Sequence, residues 1–190
     1  IEMRFSLFCY GICVNISMLI FTSSVLCRPI SYQGGLTAMV KTDEMSSSLG
    51  LHYSPSTFFS IGYQYENFKK NNFQMNAFQV NNLLYRRNTL NSQTNIYLRS
   101  ALGLATCSDN FCGQSSQFGY STGILSDWET QRLFVSYSNR YLNAYQLSHF
   151  FSQSARIGVA PYVGDFGDLH TWLMVEVNHA PGEDVAWSVT

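Results

Sequence analysis

The sequence predicts an all-β fold: an antiparallel up-and-down β-barrel whose strands cross a membrane. Three observations carry this. From residue 35 onward the side chains alternate with a period of two, and no stretch sustains a helical period. Several alternating segments reach about ten residues, longer than the roughly 5–6 usual in soluble proteins. That length matches the roughly 9–11 tilted residues of a bilayer-spanning strand. Finally, only 12% of the chain is charged, while 46% is hydrophobic and 15% aromatic. A water-facing surface normally carries about a quarter to a third charged residues.

Taken in order, residues 1–27 read as an export signal. Met3 is the expected true start, with Ile1 and Glu2 left from an upstream reading. Arg4 supplies the positive start, an apolar run follows, and Thr22, Ser23 and Ser24 are small. Cleavage is expected after Ser24 or Cys27. A retained anchor helix is the rival reading, but Asn15 and Ser17 interrupt the run.

The barrel is expected over 28–190. Strands are predicted near 35–42, 47–54, 57–66, 75–86, 92–105, 117–127, 132–142, 153–162 and 168–178, with a tenth starting near 186. In "TFFSIGYQYE", Phe59, Ile61, Tyr63 and Tyr65 form one face, and Ser60, Gly62, Gln64 and Glu66 the other. Ile96, Leu98, Leu102 and Leu104 likewise oppose Asn95, Arg99, Ala101 and Gly103. Ile157, Val159 and Val163 oppose Arg156, Gly158 and Ala160; Leu169, Leu173, Val175 and Val177 oppose His170 and Glu176. A soluble sandwich also alternates, but its outer face carries Lys and Glu. Here the polar face is small and mostly neutral, the pattern of a barrel with apolar residues outside. Segment 75–86 alternates poorly and its faces stay unassigned.

The connections alternate short and long after the first, which places "ENFKKNNF", the Cys107–Cys112 loop, "NAYQLSHFF" and "HAPGEDVAW" on one side, outside the cell. Tyr65, Phe68, Phe73, Tyr137 and Tyr141 suit aromatic girdles near strand ends. In lipid every backbone group needs a partner, so the sheet is expected to close on itself. The chain ends at "AWSVT", barely into strand ten. Ten strands are therefore visible and about twelve are expected in the complete protein, with ten as the alternative.

"SLGLHYSPSTFFSIGYQYE", "NIYLRSALGLA" and "SARIGVAPYVGDFGDLHTWLMVEV" resemble an uncharacterised family of bacterial outer-membrane β-barrel proteins. The resemblance implies fold and location. It supplies no activity and no catalytic residues.

Cys107 and Cys112 lie close together in an exported chain and suggest a disulfide rather than half a zinc site, because no second Cys or His pair stands at metal spacing. Asp165-Phe166-Gly167 matches a kinase triplet, but the other kinase motifs are missing. With Gly164 and Asp168 it reads as a turn. No metal and no cofactor are expected. His149 and His179 fall in loops and are the rim candidates for a lipid-modifying barrel enzyme; His52 and His170 fall on interior faces. The interior charges matter more. Glu66, Arg99, Asp127, Arg140, Arg156 and Glu176 are expected to line the lumen with His170, either as a narrow aqueous path or as a paired network that plugs it. Phe134, Trp172 and Met174 on the same faces favour the plug.

The expected role is a non-catalytic outer-membrane barrel, a narrow channel or passive surface protein. A barrel enzyme and a soluble ligand-binding barrel are the alternatives. Membrane lipid and a small solute are the expected partners. Net charge is −1 and no basic stripe follows the chain, so nucleic acid is not expected.

Overall fold

A computed structural model describes residues 28–42, 46–69, 72–107, 116–144, 148–163, 172–179 and 186–189. Ten strands follow one another: β1 (Gly35–Thr42), β2 (Ser46–Ser54), β3 (Phe59–Phe68), β4 (Phe73–Asn88), β5 (Ser92–Cys107), β6 (Gln117–Thr130), β7 (Leu133–Ala144), β8 (Ser148–Val159), β9 (Leu173–His179) and β10 (Ala186–Val189). They form one sheet in the order β1 to β10, and every neighbouring pair is antiparallel. The expected up-and-down, all-β architecture is present. We call the end with the 55–58, 89–91 and 131–132 connections the near end, and the opposite one the far end.

The sheet curls so that its two faces differ in chemistry. Leu36, Leu51, Tyr63, Phe78, Leu102, Phe118, Ile124, Val135, Ile157 and Leu173 stand exposed on the outer face. Thr37, His52, Ser60, Glu66, Asn81, Asn95, Asp127, Ser136 and Glu176 are buried on the inner face. This reverses the arrangement of a soluble domain, in which large apolar side chains fill the core. Among the described residues no backbone ladder joins β1 to β10. Closure of the sheet, as expected from sequence, is replaced there by a side-chain bridge: Lys41 Nζ of β1 donates to Glu176 Oε1 of β9 at 3.0 Å.

Several strands run longer than predicted. The β3–β4 ladder extends to the pair Phe68 and Phe73, so the connection shrinks to 69–72. Asn72 takes a left-handed conformation there (φ 48°), which a short polar side chain tolerates. The 55–56 turn expands to 55–58, and the predicted length contrast between these two connections disappears. The β7–β8 ladder likewise continues to Ala144 and Ser148, so much of the predicted loop "NAYQLSHFF" is strand. At its other end β8 stops at Val159, before Pro161, which has no N–H for a ladder.

The poor alternation of β4 has two causes. Phe73, Met75 and Ala77 are apolar yet point inward, joining Phe68, Ala101, Ala105, Leu142 and Ala144 in a buried cluster at the far end. Further on, a register shift between Leu83 and Tyr85 leaves Leu84 and Tyr85 both exposed. A bulge adds one residue and reverses the face assignment beyond it. Phe68 and Phe73 therefore do not belong to an aromatic girdle: they are 6% and 1% exposed and stack with ring centroids 4.3 Å apart. Tyr137 and Tyr141 do face outward.

Candidate functional site

Interior side chains come from alternate positions of each strand, and the register aligns them into rows across the sheet. One row runs through six strands. Arg86 of β4 pairs with Asn95 of β5, Asn95 with Asp127 of β6, and Asp127 with Ser136 of β7. Ser136 pairs with Arg156 of β8, and Arg156 with Glu176 of β9. The charges alternate in sign along it. Arg86 Nε donates to Asn95 Oδ1 at 2.7 Å, and Asn95 Nδ2 donates to Asp127 Oδ1 at 2.7 Å. Arg156 holds Glu176 with two parallel bonds of 2.8 and 3.2 Å, the fork geometry that suits guanidinium and carboxylate.

A second row has a different balance. Ser60 of β3 pairs with Asn81 of β4, Asn81 with Arg99 of β5, and Arg99 with Gly123 of β6. Gly123 in turn lies against the Cα of Arg140 on β7. No carboxylate stands in this row. Arg140 finds one elsewhere: its Nη1 donates to Glu66 Oε2 at 2.8 Å, and its guanidinium carbon sits 5.5 Å from the centre of the Phe68 ring. Arg99 has no such bond among the described residues. The buried Nε atoms of Arg99 and Arg140 have no hydrogen-bond partner among the described residues.

The near end of the interior is filled by a segment that sequence reasoning overlooked. Residues 28–34 fold under the sheet. Ile30 is 2% exposed. Pro29 O accepts a 2.6 Å bond from Ser60 Oγ, and the Ser31 amide donates to Ser54 Oγ at 3.0 Å. Arg28 donates from Nη1 to Gln93 Oε1 at 2.7 Å, and its Nη2 lies 2.5 Å from Glu129 and 4.0 Å from Asp127. Asn81 donates to Ser60 Oγ at 3.0 Å and contacts His52 Nδ1 at 3.4 Å, which ties the segment to the second row. Gln79 Nε2 donates to Asn81 Oδ1 at 2.6 Å. Across the near end Phe134 packs against Trp172 at 5.8 Å, and Met174 is buried. At the far end, a cavity of about 10 Å³ lies among Gln64, Glu66, Met75, Ala77, Ala101 and Ser121, room for roughly one water.

The structure thus places Glu66, Arg99, Asp127, Arg140, Arg156 and Glu176 on the interior face and brings all six into pairs or rows. His170, Asp165, Asp168 and Cys112 lie outside the described residues, as does the predicted signal at 1–27. Cys107 is the last residue of β5. His149 and His179 are exposed strand residues rather than loop residues, His149 on β8 and His179 on β9. Among the described residues no three His, Cys, Asp or Glu side chains gather as a metal site. Arg28, Lys41, Arg86 and Glu129 are interior charges that the alternation did not single out. Lys41 shares the inner face with Thr37 and was open to recognition; Arg28 precedes any strand. No family model matches the chain, and no curated protein or solved structure matches it.

Proposed function

We propose that this protein is a non-catalytic barrel of the bacterial outer membrane, acting as a narrow channel or a passive surface protein. The observation that carries the reading is the inverted distribution of side chains. Large apolar residues stand outward on every strand from β1 to β9, while ion pairs fill the inside. Burying a Leu, Ile or Phe side chain is worth about 1.5–3 kcal/mol, so an outer face of this kind is costly in water and favourable in lipid. A bilayer also demands that interior charges find one another, as Arg156 and Glu176 do. Lys41 and Glu176 span the open side of the sheet, which supports a closed ring once its edges are paired. Export through the 1–27 signal, and a Cys107–Cys112 disulfide in the far-end loop, belong to the same reading.

Fractionation tests location: the protein is expected in outer membranes and extracted only with detergent. Recovery in the soluble periplasmic fraction contradicts the reading and favours a soluble ligand-binding barrel. Planar-bilayer recording tests the channel. The filled near end predicts a small conductance; no conductance after removal of residues 28–34 leaves the passive surface role.

A further inference from the structure

The two interior rows differ in charge balance, and the difference points to a ligand. In the first row Arg86 and Arg156 are matched by Asp127 and Glu176. The second row holds Arg99 and lies against Arg140, with no carboxylate of its own. Among the described residues, the middle and far interior hold Arg99, Arg140 and Arg156 against the two carboxylates Glu66 and Glu176. Both carboxylates are already engaged by Arg140, Arg156 and Lys41. Arg99 faces Arg140 and Arg156 as like charges and Glu66 as an opposing one. An enclosed guanidinium without a partner is costly.

The surroundings favour occupancy rather than collapse. Gly123 is the one residue between Arg99 and Arg140, and it carries no side chain. No side chain therefore stands between the two arginines at this position of the sheet. Ser121 and Ala101, next along the inner face, are also small. Each guanidinium presents a buried Nε without a partner among the described residues. Two planar forks with free N–H groups match the oxygens of a tetrahedral or planar oxyanion.

We infer that the interior binds a small oxyanion between Arg99 and Arg140, which makes the lumen anion-selective. This rests on the barrel reading above for the route by which the anion enters. The apolar outer face keeps lipid headgroups away from this row, so the ligand is a free anion.

Equilibrium dialysis of the detergent-solubilised full chain with radiolabelled inorganic phosphate at low salt tests the site. One saturable site, displaced by sulfate, is expected. Arg99→Gln should weaken it at least tenfold, whereas Arg99→Lys, which keeps the charge, should hold it within a few-fold. Arg87→Gln, exposed at the near end of β4, should leave it unchanged. Absence of saturable binding to the unaltered chain overturns the inference, whether or not Arg99→Gln folds. Undiminished binding by a folded Arg99→Gln chain overturns it too. A chain that conducts in bilayers without binding phosphate sinks this site alone; one that binds phosphate but is recovered without detergent sinks the barrel reading instead.

Discussion

The two ends of the interior are filled by opposite chemistries. At the far end Phe68, Phe73, Met75, Leu142 and four alanines exclude water by contact. At the near end residues 28–34 are held by hydrogen bonds to Ser54, Ser60 and Gln93 and by the Arg28–Glu129 pair. Between them lie the two polar rows. Apolar contact is non-directional and resists substitution by similar shapes. A hydrogen-bonded strap depends on a few atoms, each replaceable by water. The far end is therefore the permanent closure, and the near end the one that substitutions or salt can loosen.

The largest effect should come where the rows meet the open side of the sheet. Glu176 is 4% exposed and accepts hydrogen bonds from both Arg156 and Lys41. Glu176→Gln takes the carboxylate away from the Arg156 fork and should cost about 3–5 kcal/mol, read as a lowered urea midpoint in detergent micelles. A shift no larger than that of an exposed control would mean that the bridge contributes little to closure.

Phe73→Ala should follow, at about 3 kcal/mol, because it empties a ring position that is 1% exposed. On the channel reading proposed above, conductance should rise, since the removed ring fills part of the far end. Ser60→Ala removes the donor to Pro29 O and the acceptor for Asn81, and should cost about 1–2 kcal/mol. Limited proteolysis should then cut residues 28–34 faster than in the unaltered chain. Arg28→Gln should be smallest in stability, under about 1 kcal/mol, because the Arg28 side chain is 31% exposed. It should still raise conductance by loosening the strap, and high salt should mimic it. If Ser60→Ala and Arg28→Gln leave both protease sensitivity and conductance unchanged, the contrast between the ends fails.

How much of this was legible depended on whether the signal was local. Alternation is local, so β3, β5, β8 and β9 yielded their inner faces, and Glu66, Arg99, Asp127, Arg140, Arg156 and Glu176 were recognised together. β4 misled because a lipid-facing pattern assumes a polar interior, and Phe73, Met75 and Ala77 build an apolar one. Its bulge then reversed the faces beyond Leu83. The rows were beyond reach, since register is a non-local property: nothing near Arg99 says that Gly123 and Arg140 will stand beside it. Arg28 and its strap fell outside every period, and its acid partners lie about a hundred residues away in β6.

The central claim is that the outer face meets lipid and the inner face does not. Leu102 and Ser121 test it on adjacent strands, Leu102 exposed on the outer face of β5 and Ser121 half-buried on the inner face of β6. Each is changed to Cys in a background where the other cysteines are Ala, labelled with a small fluorophore, and reconstituted into vesicles of brominated phospholipid. The account predicts strong quenching at position 102 and little at 121. Equal quenching at both positions, or none at 102 in a reconstituted and folded protein, would contradict it.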